Sequence, residues 1–135
     1  MTRFTKISPY ELKDNLFESI GREWMLISAS DGQNTNSMTA SWGCFGVLWG
    51  KQVAVCFIRP QRYTYEIAER AKTLSLAFFD KSYRQTLSYM GAHSGRDEDK
   101  YLATGLHMIT DGSGTPGRMV RLSQYGRLFC PFPQI

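Results

Sequence analysis

The sequence predicts a mainly β fold with peripheral helices, closed or partly closed into a barrel, and three observations carry that expectation. The first strand-like segments are joined by loops too short to hold crossover helices, which argues against a doubly wound parallel sheet. Gln52 to Ile58 is apolar on both faces, with Val53, Val55 and Phe57 on one and Ala54, Cys56 and Ile58 on the other, as expected of a strand covered on both sides. Around these lie short helical patterns mixed with about five strand patterns in one chain.

Taken in order, Ser8-Pro9-Tyr10-Glu11 is a helix start: Ser8 can cap, Pro9 is tolerated at the first helical position, and Glu11 completes a capping box. The spacing of Leu12, Leu16 and Ile20 predicts one helix from Pro9 to Ile20, with Gly21 as its left-handed cap. Trp24 to Ala29 reads as a strand, Ser30-Asp31-Gly32 as a turn, and Ser37 to Cys44 as the second strand of a hairpin. After the buried strand, a helix is expected over Arg62 to Arg70 and a strand over Thr73 to Phe79. Asp80 can cap a helix reaching Met90. A short helix from Asp97 to Thr104 should end at Gly105, before a strand at Leu106 to Thr110.

At 135 residues the chain has the length of one domain, and no repeat or low-complexity block divides it. A hydrophobic fraction of 42% and an aromatic fraction of 13% exclude an intrinsically disordered chain. No apolar run approaches the roughly 18 residues needed to cross a bilayer, and Met1 to Lys6 lead into no secretion-type apolar stretch, so a cytoplasmic location is expected. Cys44, Cys56 and Cys130 are odd in number and far apart, which fits reduced thiols in packing roles. The formal net charge of +4 favours an anionic ligand without choosing between a phosphate-bearing small molecule and nucleic acid.

Three segments could carry chemistry. At Ile58-Arg59-Pro60-Gln61-Arg62-Tyr63-Thr64-Tyr65 a buried strand gives way to a helix start bearing two arginines and a hydroxyl. Helix N-termini expose unpaired N–H groups, and arginine adds bidentate donors matched to phosphate. The plain alternative makes Arg59 and Arg62 solvated charges, with Glu66 as the i,i+4 partner of Arg62. Asn36 to Trp42 is a strand of small and hydroxylated residues that lets a flat ligand approach the backbone, with Thr39 and Ser41 on one face. On residue types alone the better reading is an edge strand with a solvated hydroxyl face. Trp42, Phe45 and Trp49 can wall a ring pocket or belong to the core. His93-Ser94-Gly95-Arg96-Asp97 is a polar loop that suits ligand binding or a surface turn with Asp97 capping the next helix. His93 and His107 have no ligand-spaced partner for a metal and no cysteine for a nucleophile pair.

In order along the chain, three blocks resemble the FMN-binding split-barrel flavin reductase family, flavoredoxins included. They are Asn36-Ser37-Met38-Thr39-Ala40-Ser41-Trp42-Gly43, Phe57-Ile58-Arg59-Pro60-Gln61-Arg62-Tyr63-Thr64-Tyr65-Glu66 and His93-Ser94-Gly95-Arg96-Asp97-Glu98-Asp99-Lys100. The similarity runs to about Leu106 and implies a single FMN-binding split β-barrel domain. It implies that Met38, Thr39, Ala40, Ser41 and Trp42 face the isoalloxazine and ribityl chain. Arg59, Arg62 and Thr64, with Tyr63 between them, would hold the phosphate, and Ser94, Arg96 and Lys100 would lie near the flavin. It also implies a homodimer with each flavin between two subunits. Relatives continue through further strands that complete the barrel, whereas here the segment from about 111 to 135 departs from the family pattern.

Such a protein needs no catalytic acid or base of its own, because the flavin carries the hydride chemistry. The leading expectation is an NAD(P)H-dependent flavin reductase, with NADH or NADPH as donor. An FMN-binding electron carrier or flavin-storage protein without a nicotinamide site is the alternative. A nucleic-acid-binding barrel is disfavoured, since Glu66, Glu69, Asp97, Glu98 and Asp99 interleave with the basic residues.

Overall fold

The helix expected over 9–20 is broken in two, and the reason is a second capping residue. In the computed structural model, which describes residues 7–71, 74–108 and the backbone of 127–129, Pro9–Glu11 forms a single 3₁₀ turn closed by the Ser8/Glu11 capping box. Leu12 is extended, and Asn15 then opens α1 (Leu16–Gly21) by accepting from the N–H groups of Phe17 and Glu18. Gly21 closes α1 without a left-handed backbone. That conformation falls on Trp24 (φ 70°), whose ring lies under the Arg84 guanidinium.

Two antiparallel pairings organise the middle of the chain. β1 (Met25–Ser30) pairs with β2 (Thr35–Ala40) through the expected turn, with Ile27 opposite Met38 and Ser28 opposite Ser37. Asp31 holds that turn: its carboxylate accepts from the N–H groups of Gln33 and Asn34 and from Arg70. The Asn34 N–H, then Arg70 and the Gln33 N–H, keep its carboxyl well below the usual carboxylate range. The strand expected over Ser37 to Cys44 ends at Ala40, and Gly43 begins β3 (Gly43–Leu48), which pairs with β4 (Lys51–Cys56) as a separate hairpin. Gly43 is forced by close approach, since a Cβ there would meet the Val55 carbonyl at 2.6 Å.

α2 (Tyr63–Ala71) precedes β5 (Ser75–Phe78), which pairs antiparallel with β1 on the side away from β2. The outer strand is β6 (Arg127–Phe129), giving the order β2-β1-β5-β6. Asp80 caps a 3₁₀ turn (Lys81–Tyr83) that runs into α3 (Arg84–Ala92). The next helix, α4 (Lys100–Thr104), is capped by Asp99, not Asp97, and ends as expected at left-handed Gly105. Of the strand expected over 106–110, a single bridge residue, Met108, is present; residues 109 and 110, and Cys130, lie outside the described residues. No helix among the described residues is long and apolar enough to cross a membrane.

Every residue of β1 is buried, and its alternating side chains divide the core. Met25 and Ile27 pack with Met38, Leu76 and Phe78 on one face, where Phe45, Ala54 and Cys56 of the hairpin close over them. Leu26 packs with Ala77, Leu87, Met90 and Leu106 on the other face, beneath α3 and α4. The expectation that the 52–58 strand is covered on both sides is overturned. β4 pairs only with β3 among the described residues, and Val55 and Phe57 are exposed. The two sheets share no strand pairing there and do not close into a barrel.

Candidate functional site

Two adjoining cavities lie where β2 meets the start of α2 and the loop before α4. The larger, about 480 Å³, is lined by Asn36, Met38, Arg59, Gln61, Arg62, Tyr63, Thr64, His93, Ser94, Arg96, Asp97 and Lys100. The smaller, about 170 Å³, is lined by Met38 to Trp42, Phe57, Arg59 and Arg62. Met38, Arg59 and Arg62 border both. Every site residue expected from the sequence therefore lines one cavity or the other. β2 is an edge strand among the described residues, so alternate N–H and C=O groups are left unpaired by its sheet on that side. Its hydroxyl face is not solvated: Ser37 is buried, and half-buried Thr39 donates to the Leu87 carbonyl of α3 at 2.5 Å.

The cations of the larger cavity are held differently from one another. Arg62 is not paired with Glu66. Its guanidinium donates to the Gly91 carbonyl at 2.8 Å, and Glu66 takes Arg96 instead. Arg96 also donates to the Gln61 carbonyl at 3.2 Å, so this arginine ties the 93–99 loop to α2. Arg59 is exposed, with its guanidinium 5.2 Å from the centre of the Trp42 ring, a cation–π arrangement at the mouth shared by the two cavities. Lys100 is 3% exposed and donates from Nζ to the Ser37 carbonyl at 2.6 Å and the Met90 carbonyl at 2.9 Å. Burial, and next the nearby Arg62 charge, lower its pKa to about 8 against the opposing pull of Glu98.

A frame of buried polar bonds holds these groups. Asn36 donates to the Thr64 hydroxyl at 3.0 Å, joining β2 to α2. Gly95 sits against this bond, since a Cβ there would lie 2.2 Å from Asn36 Oδ1. Ser28, Ser37 and Tyr101 are linked through their hydroxyls at 2.6 and 2.9 Å, and burial raises the Tyr101 pKa. Beside the cavity His93 stacks on Tyr89, whose hydroxyl donates to Glu98 at 2.5 Å. That bond raises the Tyr89 pKa. Among the described residues no His, Cys, Asp and Glu cluster suits a metal ion. Asn36 and Phe57 also line the site, and the signal for them is their place inside the blocks that resemble the family.

Comparison with solved structures places this architecture. An FMN-binding domain of a flavin reductases-like enzyme from Shewanella baltica superposes with a TM-score of 0.67 over 78% of this chain and 56% of the other, at 17% identity. The fold is the flavin reductase-like split barrel. Flavoredoxin of Desulfovibrio vulgaris matches at TM-score 0.63 and 22% identity, over 73% of this chain and 54% of that one. An FMN-binding protein from Thermus thermophilus, solved with bound 1-cyclohex-2-enone, matches at 0.63 and 19% identity, over 95% of this chain and 67% of that one. The chain thus spans a little over half the length of the first two split barrels. In sequence, no family profile and no curated protein matches it.

The paired cavities suit a ligand with a flat ring at one end and a phosphate at the other. The smaller one is walled by an edge strand of small residues and an indole. The larger carries Arg59, Arg62 and Lys100, none of them bound to a carboxylate among the described residues. The volume of the larger, about 480 Å³, falls in the range of small-molecule sites, and the smaller extends it.

Proposed function

We propose that this split barrel is an FMN-binding oxidoreductase, an NAD(P)H-dependent flavin reductase acting as a cytoplasmic homodimer. The observation that carries the reading is the pair of adjoining cavities sharing Met38, Arg59 and Arg62, one basic and one flanked by the β2 edge and Trp42. Bound there, FMN would supply the hydride chemistry. The chain's own residues position it. The edge of β2 offers backbone donors and acceptors to the ring, Trp42 and Met38 supply apolar contact, and the cations beside α2 neutralise the phosphate. The apolar side chains that the β3–β4 hairpin and its flanks leave exposed, Val47, Trp49, Val55 and Phe57, support a second copy covering the ring end.

The test is to mix the purified chain with FMN, desalt it and record the visible spectrum, then add NADH or NADPH without oxygen. Retained, near-stoichiometric flavin that bleaches on addition of nicotinamide is expected. Folded protein that retains no flavin would sink the reading, and retained flavin that neither nicotinamide bleaches would point to an electron carrier or storage protein.

A further inference from the structure

Among the described residues, the hairpin and the four-stranded sheet leave a groove of about 750 Å³ between β4, α2 and β5. Its walls include Ala54 and Cys56 of β4, Tyr65 and Ala68 of α2, and Leu74 and Leu76 at the start of β5. Ala54, Cys56, Tyr65 and Leu74 are only half-buried, so the groove is a gap between packed layers. The register of β6 says which part of the chain is led to it. Phe78 pairs with Arg127, Ala77 with Leu128 and Leu76 with Phe129, so the chain that leaves β6 is carried toward Leu74, at the wall of the groove. That chain reads Cys130-Pro131-Phe132-Pro133-Gln134-Ile135, without a charge and with two prolines. Proline has no N–H for a further ladder bond and holds the backbone extended. Six extended residues reach about 20 Å, as far as the six-residue strand β4 that forms one wall.

We propose that residues 130–135 occupy this groove in the same chain, with Phe132 as the apolar anchor between β4 and β5. Extended proline-rich segments dock in aromatic-lined grooves, giving up little conformational freedom, and Trp42 and Tyr65 belong to these walls. An uncharged segment also suits walls that are mostly apolar. Its attachment to β6 supplies it at an effective concentration that no free peptide or second molecule matches in dilute solution. Val47 is no part of the groove and stays open to a second copy. The groove meets the smaller cavity at Trp42, Phe57 and Arg59, so the segment bounds that cavity from within its own chain, whatever ligand the cavity takes.

Thiol labelling of the full chain, without flavin, tests this. Cys56 lines the groove and Cys44 stands exposed on β3, so a short pulse of N-ethylmaleimide read site by site in a mass spectrometer carries its own control. Burial already raises the Cys56 thiol pKa, so its rate is compared between variants at one pH and not with Cys44. Deleting 130–135 should speed Cys56 labelling about tenfold or more and leave Cys44 unchanged, as loss of a local cover requires. A peptide of the 130–135 sequence carrying Cys130→Ser, at millimolar concentration, should restore protection to the shortened chain. If the shortened chain does not fold, Phe132→Asp in the full chain decides in its place, with the same rise at Cys56 expected. Equal Cys56 rates with and without the segment overturn the proposal. A rise that the peptide leaves untouched at every concentration marks a loosened fold and overturns it too. So does protection that survives the deletion and grows with protein concentration, which gives the groove to a second copy.

Discussion

Central strand β1 of the four-stranded sheet and the two strands of the β3–β4 hairpin each have six residues and lie in opposite surroundings. β1 is buried at every residue, flanked by strands on both sides and packed on both faces. The hairpin lays Phe45, Ala54 and Cys56 on the sheet but leaves Val47, Trp49, Val55 and Phe57 exposed, and a groove of about 750 Å³ lies between it, α2 and β5. The phosphate end of the proposed site rests mostly on the covered half, where Asn36, Thr64 and Lys100 are buried and bonded. The ring end borders the uncovered half through Trp42 and Phe57. One half of the proposed site therefore lies among buried groups, and the other borders side chains that this chain leaves exposed.

Truncating one side chain in each half gives the largest contrast. Leu26 is fully buried on β1, so Leu26→Ala should destabilise the fold by about 2–5 kcal/mol through lost burial and the cavity left behind. Val47 is 68% exposed, and Val47→Ala should stay within about 0.5 kcal/mol in dilute solution. Urea unfolding of both variants checks this. Repeating it at high protein concentration sharpens it: if a second copy covers the hairpin, the Val47 effect grows with concentration and the Leu26 effect does not. Equal effects at every concentration would break the distinction.

A middle-sized effect is expected where the loop before α4 meets β2. Gly95→Ala drives a methyl into the Asn36 amide, which is buried and bonded to Thr64 and so has little room to yield. A loss of about 1–3 kcal/mol is expected from such overpacking. FMN affinity should fall with it, since Asn36 and Thr64 both line the cavity. Wild-type stability in this variant would mean that the loop moves independently of the sheet.

Local signals in the sequence are reliable where the cause is local. The Ser30-Asp31-Gly32 turn, the Ser8 and Asp80 caps and the Gly105 stop each depend on residues a few positions apart, and each is present. The break before α1 is masked because Leu12, Leu16 and Ile20 keep helical spacing across it; Asn15, a capping residue, is the available signal. Ser41-Trp42 divides β2 from β3 without a glycine or proline, so nothing in composition marks it. Every expected site residue lines a cavity, yet the partners that hold them are not legible in the sequence. Lys100 reaches a carbonyl 63 positions away, and Arg62 one 29 positions away, and such partners exist only after the chain has folded.

The smallest effect concerns the two hairpin turns. Asp31 clasps the β1–β2 turn through two backbone N–H groups and Arg70. The β3–β4 turn is built differently, on two central residues, Trp49 (φ 50°) and Gly50 (φ 70°), between the paired Leu48 and Lys51. Two positive φ values mark the turn type for which Asn-Gly is favoured. A tryptophan there carries left-handed strain of about 1–2 kcal/mol, which asparagine tolerates better. The residue is 77% exposed, so little burial offsets that strain. Trp49→Asn should therefore stabilise the isolated subunit, by about 0.5–1 kcal/mol after the lost ring contacts are allowed for. If a second copy covers the hairpin, the same change should weaken the dimer, since an exposed aromatic is the kind of anchor an interface uses. Thermal unfolding and light scattering on one sample separate the two effects. A variant less stable as a monomer would show that the Trp49 ring already packs within its own chain, and the hairpin would then count with the covered half.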